Sequence, residues 1–293
     1  MRYLLLPGPR SGRGRSADVL AGVRDRLARS GATVQVVHGE TPEATAAGLR
    51  TALDVGRGSI AGVIVLGGDG MVHLAVQALG GTVVPLGIIP LGSGNDSARA
   101  LGLPLTDAAA ATDVILAGST RRVDLARAGD RWFLTILATG FDAVVTERGN
   151  GLAWPRNNLR YTAAVLLELP RFTPIRYTLS LDGVEQTREA MFVSVANTDY
   201  FGGGMRIAAG ASFDDGMLDV CLVKPVSRLT LLRFFPTVND GSHVDNPIFE
   251  RVRARSVTIS ATPSVTTYAD GERFGELPMT IEAVPAALSV YVP

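Results

Sequence analysis

The chain has 293 residues, 46% of them apolar and 19% charged, with a formal net charge of zero. That length allows two domains with separate cores, and the composition is that of a folded soluble protein. Zero net charge offers no general attraction to nucleic acid. All but one of the 28 basic residues are arginine, Lys224 being the exception, and neither a Walker string nor Gly-x-Gly-x-x-Gly occurs. P-loop and Rossmann dinucleotide readings are thereby disfavoured.

In chain order, residues 3–6 read as a first strand. The opening run is too short for a signal-peptide core, and no apolar run approaches a membrane span, so the cytoplasm is the expected location. The loop Gly8-Pro9-Arg10-Ser11-Gly12-Arg13-Gly14 follows. Its arginines, with Arg15, either meet phosphates or form a solvated basic loop. A helix is expected over 18–29, closed by Gly31, then a strand over 33–37 and an alanine-rich helix over 41–53, with Thr41 as N-cap before Pro42.

Residues 60–66 form a short, β-branched apolar run, the pattern of a strand buried on both faces. After Gly67-Gly68-Asp69-Gly70, the stripe Met71, Leu74, Ala75, Ala78 and Leu79 has helical spacing. A strand that turns into a helix through glycines gathers bare amides and a helix N-terminus at one point, which attracts phosphate. Asp69 would repel phosphate unless a divalent cation bridged them, which suggests nucleotide plus Mg²⁺. The simpler alternative makes Asp69 a helix cap. A second apolar strand, 86–89, runs into Pro90-Leu91-Gly92-Ser93-Gly94-Asn95-Asp96 and a short helical stretch stopped by Gly102. Two such turns at neighbouring strand ends would line one crevice.

After a helix over 106–116 the grammar changes. A hairpin is expected from 123–127 and 132–138, with further strands over 177–181, 190–196, 218–223, 257–260, 280–283 and 288–292, and one helix over 159–169. Cys221, alone in its apolar run, reads as a small core residue. The stretch 229–236, flanked by Arg228, is either a buried helix or an apolar element touching a bilayer, with docking then expected around 231–235. Phe213-Asp214-Asp215-Gly216-Met217-Leu218-Asp219 carries three acids, which either bind a cation or cap a turn. The stretch from Asn197 to Gly204 is glycine-rich and either a surface loop or part of a site.

The pair Gly67-Gly68-Asp69-Gly70 and Pro90-Leu91-Gly92-Ser93-Gly94-Asn95-Asp96-Ser97-Ala98-Arg99 resembles the catalytic domain of the diacylglycerol kinase and sphingosine kinase family. The resemblance continues through Asp124, the stretch from Asn197, Asp215-Gly216-Met217-Leu218 and Asp270-Gly271-Glu272. It implies an α/β fold: a mainly parallel, three-layer N-terminal domain over 1–122, joined by 284–293, and an antiparallel β-rich domain over 123–283, with a nucleotide cleft between them. It implies ATP and Mg²⁺ as cofactors and a lipid hydroxyl as phosphate acceptor, met at the membrane's inner face. Nucleotide-binding positions carried over are Gly8, Pro9, Arg10, Ser11, Gly12, Thr41, Gly67, Gly68, Asp69, Gly70, Met71, Val72, His73, Gly92, Ser93, Gly94, Asn95 and Asp96. Glu272 would take the hydroxyl proton, with Asp69 and Asp124 as further catalytic acids. A structural Mg²⁺ would sit on Asp215 and the carbonyls of Ser212 and Met217. The partners expected are a peripheral membrane surface and no nucleic acid, and a homodimer is allowed.

Met71-Val72-His73-Leu74 departs from the bacterial diacylglycerol kinase pattern and lies closer to that of sphingosine and ceramide kinases. Gly8 replaces an asparagine. An NAD kinase and a non-catalytic nucleotide- or lipid-binding relative are the competing readings. Gly92-Ser93-Gly94-Asn95-Asp96 and Asp270-Gly271-Glu272 favour the lipid branch.

Overall fold

The computed structural model describes residues 1–8, 15–152, 154 and 158–293. It divides into two compact units, Met1–Val123 with Ala286–Pro293, and Asp124–Pro285. In chain order the first unit contains β1 (Arg2–Pro7), α1 (Arg15–Arg29), β2 (Thr33–Val36), α2 (Pro42–Val55), β3 (Ile60–Gly67), α3 (Asp69–Leu79), β4 (Leu86–Pro90), α4 (Asp96–Ala100) and α5 (Ala108–Ala117). β5 (Thr120–Ala128) leads out of it.

Strand order in this unit is β2-β1-β3-β4, all parallel, and the end of β16 (Met279–Tyr291) adds parallel to β4 at Val290↔Leu86. Parallel strands need crossover helices, and these cover both faces, so β1 and β3 are apolar without alternation. Tyr3, Leu5, Ile64, Leu66 and Ile89 pack with Val23 and Leu27 of α1 and with Ala111 and Ile115 of α5. Leu4, Leu6, Val63 and Val65 are equally buried. The caps follow local chemistry. The Thr41 hydroxyl accepts from the Ala44 N–H at the start of α2, and Asp107 accepts from Ala109 and Ala110 at the start of α5.

The second unit continues with β6 (Arg131–Phe133), β7 (Ile136–Ala138), α6 (Phe141–Gly151), α7 (Asn158–Glu168), β8 (Ile175–Leu181), β9 (Val184–Ala190), β10 (Phe192–Ala196) and β11 (Leu218–Val223). Then come α8 (Arg228–Val238), a 3₁₀ turn (Ser242–Asp245), β12 (Phe249–Ala254), β13 (Ser256–Thr262), β14 (Thr266–Ala269), β15 (Glu272–Glu276) and β16. One antiparallel sheet orders β12-β11-β10-β7-β14-β15, and a second contains β9, β8, β13 and β16. Residues of both sheets meet in one core, among them Leu179, Val193, Val220, Ile259, Phe274 and Ile281. The other face of the first sheet packs Phe192, Cys221 and Val223 against Phe141, Leu231 and Phe234 of the helices. A strand covered on both faces reads as a continuous apolar run, which is why 218–223 carries no alternation.

Several expectations change. Residues 132–138 are not one strand: β6 pairs with β5, whereas β7 pairs with β10 and β14. The break falls where the Leu134 and Thr135 N–H groups turn to the Asp270 carboxylate instead of a ladder. Helix α6 was not expected, nor were β12, β14, β15 and the largely polar β9, and the strands expected over 280–283 and 288–292 are one strand, β16. Finally, residues 231–235 are only partly exposed, with Leu232 and Arg233 at the surface. They belong to α8, with Leu231 and Phe234 buried and Phe234 packed beside His243 and Phe249.

Cys221 is fully buried, and burial pushes its thiol far above the usual range, so it is inert. Tyr177 is raised to about 12, chiefly by burial, against the opposing hydrogen bond from Thr139. The chain's two tryptophans, Trp132 and Trp154, lie in the second unit, so tryptophan fluorescence reports on that unit alone. Phe133 is fully buried and meets Phe274 edge-to-face at 5.6 Å. Phe133→Ala is expected to cost about 3–5 kcal/mol in urea unfolding followed by that signal. Val184→Ala, at an exposed position, should stay within about 0.5 kcal/mol.

Candidate active site

In the first unit the C-terminal ends of the parallel strands gather three of the expected turns. The Gly8 N–H donates to the Leu66 carbonyl at 2.9 Å, and Leu91 N–H donates to the Gly67 carbonyl at 2.9 Å. The turns after β3 and β4 then touch backbone to backbone. A Cβ on Gly92 would stand 2.5 Å from the Gly68 Cα, and one on Gly68 would stand 2.9 Å from the Gly92 Cα. Only glycine at both positions admits that approach. Asn95, in the left-handed region at φ 55, closes its turn on Gly92: its Oδ1 accepts from the Gly92 N–H and its Nδ2 donates to the Gly92 carbonyl.

Gly68 is the N-cap residue of α3 and supplies no side-chain acceptor to its first amides. Asp69 lies just inside the helix. Its Oδ1 accepts from the Ser97 N–H at 3.0 Å and ties α3 to the turn before α4. Gly67, Gly68, Asp69, Gly70 and Met71 are thus held beside Gly8 and the turn carrying Gly92, Ser93, Gly94, Asn95 and Asp96. Such a nest of glycine turns at a helix start suits phosphate oxygens. Val72 and His73 follow in α3 but are buried, and the His73 ring faces Gln77. Thr41 lies at the same end of the parallel sheet, with its hydroxyl used as the α2 cap. Pro9, Arg10, Ser11 and Gly12, together with Arg13, lie outside the described residues.

In the second unit the expected acids take backbone partners. Asp124 is 3% exposed, and its Oδ2 accepts from the Gly216 N–H at 2.7 Å. Its own N–H donates to the Phe213 carbonyl, and its carbonyl accepts from Asn197 Nδ2 at 3.0 Å. Asn197 Nδ2 also donates to the Leu134 carbonyl. Asp270, at φ 52, accepts from Leu134 N–H, Thr135 N–H and Thr135 Oγ1. A buried polar chain therefore runs from Asp124 through Asn197 and Thr135 to Asp270. Glu272 is exposed and opens β15 directly after Gly271.

The donors expected for a structural Mg²⁺ are Asp215 and the carbonyls of Ser212 and Met217, and here the Asp215 carboxylate has protein partners. Asp215 Oδ1 accepts from the Met217 N–H, while Oδ2 is paired with the Arg253 guanidinium. Ser212 turns its hydroxyl to Asp214. Among the described residues no group of three or more His, Cys, Asp or Glu side chains could hold a metal.

Sequence reasoning missed Thr135, whose N–H and hydroxyl secure Asp270, and Asp142, which is buried and accepts from Ser194 Oγ at 3.2 Å. Neither carries a local signal, since each acts through residues distant in sequence. Gly140 just before α6 was a usable clue: at φ 62, a Cβ there would stand 2.4 Å from the Tyr177 hydroxyl oxygen.

Comparison with known proteins assigns this architecture. The family model for the diacylglycerol kinase catalytic domain matches residues 2–128, and that for the YegS C-terminal NAD kinase beta sandwich-like domain matches 135–292. A Mycobacterium tuberculosis protein named diacylglycerol kinase is 41% identical over 295 residues, covering 98% of this chain and 94% of that protein. A Bacillus subtilis protein of the same name is 28% identical, covering 74% of this chain and 72% of its own. A crystal structure described as a diacylglycerol kinase from Bacillus anthracis shares the fold, with TM-score 0.75 at 21% identity over 100% of this chain and 97% of that one. A second structure from the same organism gives TM-score 0.82 at 23% identity, with the same coverage. Fold and matches together define an ATP-dependent lipid kinase. The chain belongs to the diacylglycerol kinase family, in its two-domain form with the YegS-type C-terminal domain, and the NAD kinase alternative yields to that assignment.

The glycine contact can be tested directly. Gly92→Ala must force the two turns apart and is expected to lose about 1–3 kcal/mol, the usual cost of overpacking. Gly22→Ala, in α1 with nothing within 4 Å of the added Cβ, should instead gain about 0.5–1 kcal/mol from helix propensity. Unfolding followed by circular dichroism at 222 nm separates the two.

Proposed function

We propose that the chain transfers the γ-phosphate of Mg²⁺-bound ATP to the free hydroxyl of diacylglycerol. The observation that carries the nucleotide half is the convergence of the Gly8, Gly67-Gly68 and Gly92 turns at the start of α3, whose positive end would attract phosphate without a lysine. The acceptor reading is supported by the relative named diacylglycerol kinase with which this chain shares 41% of its residues.

Phosphoryl transfer asks the protein mainly for positioning and charge stabilisation. The Gly68 and Gly92 turns would hold the phosphates, and the Asp69 carboxylate would face the metal that the nucleotide brings. The acceptor oxygen then bonds to the γ-phosphorus as the bond to the β-phosphate oxygen breaks and ADP leaves. The hydroxyl proton passes to the Glu272 carboxylate. Asp124 contributes by ordering the loop that contains Gly216. The acceptor is a membrane lipid, so the reaction is placed at a bilayer surface with the enzyme bound peripherally. Among the described residues no helix is long and apolar enough to cross a membrane. With Leu231 and Phe234 in the core, the exposed apolar side chains of Trp154, Leu166 and Leu167 join Leu229 and Leu232 of α8 as contacts for lipid.

The acceptor is checked by supplying labelled ATP and Mg²⁺ with diacylglycerol, sphingoid base, phosphatidylglycerol or NAD in parallel. Labelled phosphatidic acid is the expected product, and labelling of sphingoid base instead would transfer the reading to that branch. Asp69→Asn keeps the oxygen that accepts from Ser97 but removes the charge. It should weaken Mg²⁺-ATP binding roughly tenfold, the scale of one charge-assisted contact, with no change in melting. Calorimetry showing equal affinity would remove Asp69 from the metal side of the site. Glu272→Gln should lower turnover by roughly 10²–10⁴-fold and leave ATP affinity near wild type. Near-normal turnover would place the base elsewhere.

A further inference from the structure

Glu272 follows a tight two-residue hairpin turn, paired with Ala269 across it. It follows Asp270 and Gly271, both with positive φ, at 52° and 82°. A glycine at such a position can rotate its following peptide at little cost, and that peptide carries the Glu272 N–H. The Ala269–Glu272 pairing orders the strand after the turn, and contacts to either side of the turn further set the direction from which the exposed Glu272 carboxylate departs.

The turn is gripped on both sides. On one side the Asp270 carboxylate accepts from Leu134 N–H and from the N–H and hydroxyl of Thr135. On the other, Asn150 in the last turn of α6 donates its Nδ2 to the Gly271 carbonyl at 2.9 Å. The Gly271 carbonyl and the Glu272 N–H belong to one planar peptide unit, so holding the carbonyl fixes the plane from which Glu272 departs. One turn earlier on α6, Glu147 lies against the Tyr268 hydroxyl, two residues before the turn. The base of the helix is itself secured, because Asp142 is buried and bonded to Ser194, and Phe141 packs against Phe172 and Phe235. Helix α6 thus reaches the turn from a fixed core.

We propose that Asn150 is a positioning residue for the phosphoryl-transfer reaction, holding the Gly271–Glu272 peptide so that the Glu272 carboxylate points at the acceptor hydroxyl. This rests on the reading of Glu272 as the base. Asn150 touches neither substrate. Its effect belongs to turnover and not to nucleotide binding, because it orders a group used only as the proton leaves. The interaction is also directional. Asparagine donates to a carbonyl, whereas aspartate of the same shape presents an acceptor to an acceptor.

The test is a cycle of Asn150→Ala and Glu272→Gln, singly and together, with dioleoylglycerol in mixed micelles and Mg²⁺-ATP. Asn150→Ala should lower kcat roughly three- to tenfold, the weight of one hydrogen bond, with KM for ATP and the melting temperature unchanged. Asn150→Asp should be slower than Asn150→Ala despite its better fit, and Asn150→Gln should recover part of the loss. In the Glu272→Gln background, Asn150→Ala should have no further effect, because no base is left to aim. Turnover of Glu272→Gln at the wild-type rate would overturn both the base reading and this inference. A slow Glu272→Gln with a full-rate Asn150→Ala, or an Asn150→Ala loss carried undiminished into Glu272→Gln, would overturn the inference alone.

Discussion

The approach of Gly68 to Gly92 is the constraint on which the first unit's site depends. β3 and β4 are parallel neighbours with Gly67 opposite Pro90, so the loops leaving them must run side by side over the sheet's C-terminal edge. A side chain on either loop would fill the space through which they meet, since the added Cβ would stand 2.5–2.9 Å from the opposing Cα. Once the backbones are in contact, the other features follow at short range. Asn95 closes its own turn on Gly92, Asp69 reaches Ser97, and the first amides of α3 have no side-chain cap from Gly68. A helix start left open in this way is where an anion lowers the energy most. The same bonds that shape the loops therefore make the phosphate-binding character.

The second unit is organised by buried carboxylates that serve as acceptors for backbone donors. Asp124 and Asp270 are 3% and 7% exposed, and burial of a carboxylate is tolerable only when its oxygens are satisfied. Gly216 satisfies one, and Leu134 and Thr135 the other. The cost of leaving these groups unpaired is what holds loops to strands around Glu272. Asp215 and Asp219 follow a different rule, because Arg253 and Arg251 stand opposite them on β12. Two guanidinium groups there balance the two carboxylates. In a chain whose cations are almost all arginine, the planar fork suits that use.

Legibility differed by the range of the interaction involved. β1, β3, β4 and β11 could be read because a strand buried on both faces must be apolar throughout, and α2 because Thr41-Pro42 is a capping signal. Helix α6 escaped notice because it holds Asp142, Thr146, Glu147, Arg148 and Asn150, so its apolar stripe is thin. β9 is polar because it is the edge of its sheet. The left-handed Asp182-Gly183 turn was the available hairpin signal for it. The segment 228–238 had the composition of either a membrane-touching face or a core helix. Local sequence could not distinguish them, because what decides is whether Phe249 and His243 are there to receive Phe234.

The sequence by itself determined the local units: strand, glycine turn and helix at 60–79 and again at 86–100, and an Asp-Gly turn before Glu272. These depend on side-chain periodicity and on backbone freedom over a few residues. Only the tertiary structure decided what each acid touches. Asp69 finds Ser97 across 28 residues, Asp124 finds Gly216 across 92, and Asp270 finds Thr135 across 135. A carboxylate accepts equally well from any amide within about 3 Å, so its own neighbours in sequence do not select its partner. Packing of the sheets brings one amide close enough, and that choice made Asp69 a tether and Asp270 a turn clamp.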